Sequence, residues 1–174
     1  MSTSGHVEGT PDTEHRVSGA VRAALLCLVV LLLAGAVGLA AEQPWLFPSL
    51  GPTVMLFFTA PHQASSRPRN TLVGHVVAIA VGYACLVVSG SLGAPPAPTG
   101  GLTVGYVAAA AVSVAVTTVV LQLIRLPHPP AGASTLIVSL GILDEPLQLL
   151  DMVGAVLLVT AAGWALQRLV PAPR

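Results

Sequence analysis

Six apolar segments organise the chain: Val17–Ala41, Leu50–Ala60, Leu72–Val88, Leu102–Ile124, Ala131–Leu143 and Met152–Val170. The first, third, fourth and sixth are long enough to cross a bilayer as helices, for which about 20 apolar residues suffice. The second and fifth are shorter. As helices they reach about 16–20 Å, against a hydrocarbon core of about 30 Å. Either they are re-entrant, giving four crossings, or they cross with the help of extended chain, giving six. The extended chain would be Trp45-Leu46-Phe47 before one and His128-Pro129-Pro130 before the other.

Arginine placement favours six, because cytoplasmic loops retain positive charge. With six crossings Arg16, Arg22, Arg67, Arg69, Arg125, Arg168 and Arg174 all lie on one side. Glu42, Asp144, Glu145 and Asp151 lie on the other. With four crossings Arg67 and Arg69 are stranded. Six crossings divide into halves, 17–88 and 102–170, each reading long, short, long. Three crossings per half is an odd number, so the halves are expected to be inverted. Pro48-x-x-Gly51-x-Thr53 resembles Pro129-x-x-Gly132-x-Ser134, and Val73-Gly74-x-Val76 resembles Val153-Gly154-x-Val156. The proline- and glycine-rich stretch Ser89–Gly101 separates the halves, and its prolines are expected to bar a helix. The expected fold is an all-α polytopic membrane bundle of four long spans plus two short broken helices. Residues 1–15 form a polar tail, expected to be disordered, and 16–174 form one transmembrane domain.

Composition strengthens this reading. Only 8% of the residues are charged, 54% are hydrophobic and the mean hydropathy is +0.84; a soluble domain carries about 25% charged residues. A formal net charge of zero argues against a nucleic-acid partner. Every basic residue is arginine and alanine is abundant, as in a G+C-rich bacterial genome, so a bacterial inner membrane with a cytoplasmic N-terminus is expected. The first segment is too long for a signal-peptide core and reads as a retained span. Cys27 and Cys85 fall inside apolar segments and are expected to be inert small hydrophobes.

Short, proline- and glycine-bounded segments at matching places in two halves point to a transporter binding site. Broken helices leave backbone N–H groups that protein, water or ligand must satisfy. The helix starts are expected at Ser49-Leu50-Gly51-Pro52-Thr53 and at Pro129-Pro130-Ala131-Gly132-Ala133-Ser134-Thr135. Two opposed helix N-termini near mid-membrane suit a small anion. Gly51 and Gly132 would let it approach backbone, while Thr53 and Ser134 offer hydroxyls. The bland alternative is that these residues only cap short packing helices. His128 opens the second motif, and an ionisable side chain inside a membrane points to function. His62, Arg67, Arg69, His75 and Arg125 are expected at an entrance or around the site, the arginines also serving topology alone. Asn70 is expected to cap the third segment or to touch substrate. No metal site, cofactor motif or nucleophile–base pair is found, so an enzyme is not expected. The bilayer and a small anion are the expected partners. A second copy of the chain is another candidate, through close packing at Gly101-x-x-x-Gly105.

At these residues a resemblance becomes visible. Ala60-Pro61-His62, Arg67-Pro68-Arg69-Asn70 and Gly74-His75, followed by Leu126-Pro127-His128-Pro129-Pro130-Ala131-Gly132-Ala133, resemble the HPP family of membrane proteins. The family is named for the His-Pro-Pro found here at 128–130. The likeness covers roughly Trp45 to Val170, with Pro52 standing where a small residue such as alanine is expected. It implies a transporter usually described with four spans. Some plant and cyanobacterial members are assigned nitrite transport, so nitrite is the substrate the resemblance suggests. The alternative is a non-transporting assembly or regulatory subunit of a membrane complex.

Overall fold

In the computed structural model, which describes residues 11–170, the chain is a bundle of helices. Among these residues the elements are α1 (Pro11–Ala41), α2 (Leu50–Thr59), a 3₁₀ turn (Ala64–Ser66), α3 (Pro68–Val88), α4 (Ala97–Gly100), α5 (Val104–Leu123), α6 (Ala131–Ser139) and α7 (Pro146–Leu169). α1, α3, α5 and α7 are long and apolar enough to cross a membrane. The protein is a multi-pass helical membrane bundle.

Several boundaries differ from the sequence expectation, each for a local reason. Helix α1 opens on Pro11, so residues 11–15 of the expected disordered tail are helical. Residues 1–10, with His6, and 171–174, with Arg174, lie outside the described residues. Helices α3 and α7 begin on Pro68 and Pro146, not at Leu72 and Met152. Proline suits a first helical turn, where no N–H is required. The start of α7 is further fixed by reciprocal bonds between Glu145 and Gln148. Helix α6 stops at Ser139, short of the expected Leu143, because Gly141 turns left-handed at φ 71°. There the Gly141 N–H donates to the Val138 carbonyl (3.0 Å) and the Ile142 N–H to that of Ile137 (3.1 Å). The prolines of 89–101 do not bar a helix: Pro98 lies in the first turn of α4, where proline is tolerated.

Close contacts fix the direction of each segment. Along α7, Gly154 faces Trp45 and Gly163 faces Phe57, so residues 45–59 run parallel to α7. Along α3, Gly74 faces His128 and Gly82 faces Val138, so residues 128–139 run parallel to α3. Helix α5 runs the other way, with Tyr106 at Gly141 and Thr117 at Thr135. Each short helix, with extended chain ahead of it, therefore travels from one end of the bundle to the other, and the chain traverses the bundle six times. The starts of α1 and α3 and the ends of α5 and α7 put Arg16, Arg22, Arg67, Arg69, Arg125 and Arg168 at one end. Glu42, Asp144, Glu145 and Asp151 lie toward the other.

The packing repeats with inversion. α1 lies on α2 as α5 lies on α6, α1 on α7 as α5 on α3, and α2 on α7 as α6 on α3; the α3–α7 contact is its own counterpart. The shift of 81 that relates Gly82 to Gly163 also relates Phe57 to Val138. It likewise relates Thr53 to Ser134. The pair Gly101 and Gly105 does not form a close-packing helix face, since Gly101 precedes α5. Gly105 instead lets Ser91 approach, with its hydroxyl 2.7 Å from where a β-carbon would stand.

The traverse by α2 is testable by labelling. With Cys27 and Cys85 replaced by alanine, single cysteines at the exposed positions Gln43 and Ala64, before and after α2, should react with an impermeant maleimide from opposite sides of the membrane. Reaction of both from one side would return α2 to a re-entrant position.

Candidate functional site

Helices α2 and α6 run in opposite directions, and their first turns meet around one imidazole. Thr53 Oγ1 lies 2.9 Å from His75 Nε2, and Ser134 Oγ lies 2.6 Å from His75 Nδ1. The two hydroxyls related by the inverted repeat thus bracket the same ring. His128 completes the cluster. Its Nδ1 is 2.8 Å from the Ser65 carbonyl, and its Nε2 is 3.3 Å from His75 Nε2 and 3.4 Å from Thr53 Oγ1. The two rings meet edge-on, with centroids 4.9 Å apart. Thr53, His75 and Ser134 are fully buried and His128 is 2% exposed. His75 lies seven residues into α3, about 10 Å along a helix of about 31 Å. The cluster therefore sits nearer the arginine end than the expected mid-membrane level.

Several local features hold His128 against α3. A β-carbon on Gly74 would come 2.7 Å from His128 Cβ, so only glycine admits the loop this closely. The Asn70 amide donates to the Pro127 carbonyl at 3.0 Å. Asn70, expected to cap a helix or touch substrate, instead ties the third residue of α3 to the His-Pro-Pro segment. The Ser66 hydroxyl bonds the carbonyls of Leu56 (3.0 Å) and Ala60 (2.6 Å). That fixes the turn whose neighbouring carbonyl, Ser65, receives His128.

Partner chemistry assigns the protons. A carbonyl only accepts, so His128 Nδ1–H donates to Ser65, and in a neutral ring Nε2 is then a lone pair. The contact between the two Nε2 atoms requires one donor, so His75 carries its hydrogen on Nε2. That N–H is shared between Thr53 Oγ1 and His128 Nε2. His75 Nδ1 accepts from the Ser134 hydroxyl, and the Thr53 hydroxyl donates to the Ser49 carbonyl at 2.9 Å. Every polar atom of both rings is satisfied, as burial demands.

The backbone differs from the sequence expectation. The first N–H groups of α6 are already used: Ala131 donates to His128 (3.0 Å), Gly132 to Pro129 (3.0 Å) and Ala133 to Pro130 (3.1 Å). At α2, Leu50 donates to Phe47 (2.9 Å). A chain that bends through prolines closes these 3₁₀-type bonds before the helix proper. Hydroxyls and imidazoles, together with the positive ends of two helix dipoles, are what the two starts present. Beside them lies a cavity of about 290 Å³ between α5 and the start of α6, lined among others by Thr117, Gln122, Pro127, His128, Pro129 and Gly132. Among the described residues, no atom beyond its chain neighbours and its own helix backbone lies within 4 Å of where a β-carbon on Gly132 would stand.

The remaining expected residues fall elsewhere. Pro130 is buried behind the cluster and Pro129 is exposed at the cavity; Gly51 is half-buried with open space at its Cα. Pro52 is exposed in the first turn of α2, where it costs no hydrogen bond. His62, Arg67, Arg69 and Arg125 are exposed at the arginine end. Arg125 adopts a left-handed φ of 56° just past α5. His75, placed among the surrounding residues by its sequence neighbourhood, is the hub of the cluster. Ser65 and Thr117 escape the sequence reading, and Ser49 and Thr135 enter it only as members of the two helix starts; Ser49 and Ser65 act through carbonyls, which side-chain type cannot signal. Thr117 and Thr135 bond each other at 3.2 Å, and only the buried Ser113-x-x-x-Thr117 spacing on α5 hints at them.

A family model described as HPP, transmembrane region, matches residues 12–173. No curated protein and no solved structure matches the chain.

Packing at the two glycines separates support from open space. Gly74→Ala should lower stability by about 1–3 kcal/mol, because backbone and ring must move apart. Gly132→Ala should leave the unfolding midpoint in detergent nearly unchanged. Equal midpoints for wild type and Gly74→Ala would show that the His128 loop is not pressed against α3.

Proposed function

The chain belongs to the HPP transmembrane family, and on that footing we propose that it is a permease for a small monovalent anion, with nitrite the leading candidate. One observation carries the reading: two half-helix starts from inverted repeats converge on a buried cluster of hydroxyls and imidazoles beside a cavity. A packing device alone would not need two histidines held this deep, where polar side chains are costly. The cavity lets an anion reach His128, Pro129 and Gly132, and the Thr53 and Ser134 hydroxyls select among anions. In this reading the arginine end and the N-terminus face the cytoplasm of a bacterial cell, across its inner membrane. His62, Arg67, Arg69 and Arg125 lie at the cytoplasmic approach.

Charge sets the substrate class. Two helix N-termini supply about one positive charge in total, enough to offset one negative charge. Among the described residues no arginine hydrogen-bonds to the cluster. A divalent anion would keep about one charge uncompensated in a low-dielectric interior, at several kcal/mol. Nitrite itself is drawn from the family resemblance, and the site chemistry supports only its class.

Flux into liposomes holding the purified protein is the test. Nitrite should enter, nitrate or formate more slowly or comparably, and sulfate and cations much more slowly. His128→Ala should reduce nitrite flux at least about tenfold, equivalent to about 1.4 kcal/mol. Gly132→Val should do the same with no loss of stability, since its side chain fills the cavity. Thr53→Val and Ser134→Ala should shift the preference among anions. Potassium or sulfate flux without nitrite flux would refute the substrate class. Absence of any flux would favour a non-transporting subunit.

A further inference from the structure

We propose that the His75–His128 pair is a binding site for a single proton, and that the anion crosses together with it. The inference rests on the transport reading and names its coupling ion. In the neutral arrangement every hydrogen bond points one way, from the Ser134 hydroxyl through His75 to Thr53 and His128, and from His128 to the Ser65 carbonyl. One acceptor position in this chain is weakly filled. His128 Nε2 receives only a shared contact at 3.3 Å, while the same His75 N–H has the shorter 2.9 Å bond to Thr53. An incoming proton binds that lone pair, and His128 becomes a cation donating from both nitrogens.

The rest of the chain then reverses, and Thr53 Oγ1, which loses the His75 N–H, accepts from the new His128 Nε2–H at 3.4 Å. His75 changes tautomer, its hydrogen moving from Nε2 to Nδ1, so that Nε2 accepts from His128 and Nδ1–H donates to Ser134. The Ser134 hydroxyl, no longer needed as a donor to His75, is free to turn to the carbonyl four residues earlier. Its counterpart Thr53 already makes that bond, to Ser49. One proton has been added and none released. A second would place two cations with ring centroids 4.9 Å apart, so the pair holds one only.

The surroundings leave the pair to titrate by itself. No side chain of α2, α6 or the 3₁₀ turn is ionisable. On α3 the others are Arg69, exposed, and Tyr83 and Cys85, two turns or more further along. On α5 there is Tyr106, held at the far end by the carbonyls of Ala94 and Pro95. On α7 Asp151 and Arg168 stand toward opposite ends. Among the described residues none of these hydrogen-bonds to either ring. A proton on His128 therefore faces no fixed counter-charge, and His128 lines the cavity. A monovalent anion there is the partner that neutralises it, so that proton and anion together add no formal charge to the site.

Two measurements on the full chain test this. Protein labelled with ¹⁵N-histidine in detergent is titrated from about pH 9 to about pH 4, with His75→Asn and His128→Gln identifying the two buried rings. Their ¹⁵N shifts should move together and account for one proton between them. Independent titrations, two protons, or none would overturn the proposal. In liposomes clamped at zero potential, an acid-outside gradient of about one pH unit should drive nitrite toward about a tenfold inside-over-outside ratio, reached several-fold faster than in protein-free liposomes. His75→Asn or His128→Gln, whichever inserts, should lose that dependence. Nitrite flux indifferent to the gradient would overturn proton coupling and leave anion transport standing. One shared proton without nitrite flux would keep the proton site and remove the transport reading.

Discussion

A backbone carbonyl in an apolar interior can only accept a hydrogen bond, and the site depends on one such carbonyl, that of Ser65. Because it takes Nδ1–H of His128, the opposite nitrogen of that ring is a lone pair, and His75 must present a hydrogen to it. That choice in turn makes Ser134 a donor and Thr53 an acceptor of His75. In water such preferences are weak. Inside a bundle bathed in lipid an unpaired polar group costs several kcal/mol, so a single carbonyl orders five side-chain and backbone partners.

The inverted architecture makes the cluster possible. A full-length span hides its N-terminal turn at a membrane surface, whereas α2 and α6 start inside because extended chain carries them part of the way. Inversion brings the two starts together from opposite directions, so Thr53 and Ser134 reach the same ring. Small residues permit the approach. Gly74 admits the His128 loop, Gly82 admits α6, and Gly163 gives α7 the matching contact with Phe57. Gln167 of α7 donates to the Phe57 carbonyl, which helps hold the end of α2.

Much of this was legible in the sequence. Segment lengths and arginine positions carry the number of traverses, the inversion and the location of the broken helices, because hydrophobic thickness and charge retention act on residue type alone. Thr53, Ser134 and His128 stood out as polar residues beside proline and glycine in apolar chain. His75 did not, since it lies among ordinary residues of a long span and its importance comes from which helices pack against it. The bond that Asn70 makes in place of a helix cap was hidden for the same reason: its partner is 57 residues away. The expectation of free N–H groups at α6 failed because 3₁₀ bonds through Pro129 and Pro130 are a matter of backbone path. Likewise α4 formed despite its prolines, which happen to fall where a first turn accepts them.

The central claim is that an anion is recognised at the imidazole–hydroxyl cluster joining the two halves. The most direct measurement follows the ring resonances of His75 and His128 while nitrite is added to the purified protein at constant ionic strength. The account predicts saturable shifts in both buried rings with nitrite and none with sulfate. Shifts confined to His62, or identical responses to the two anions, would contradict it.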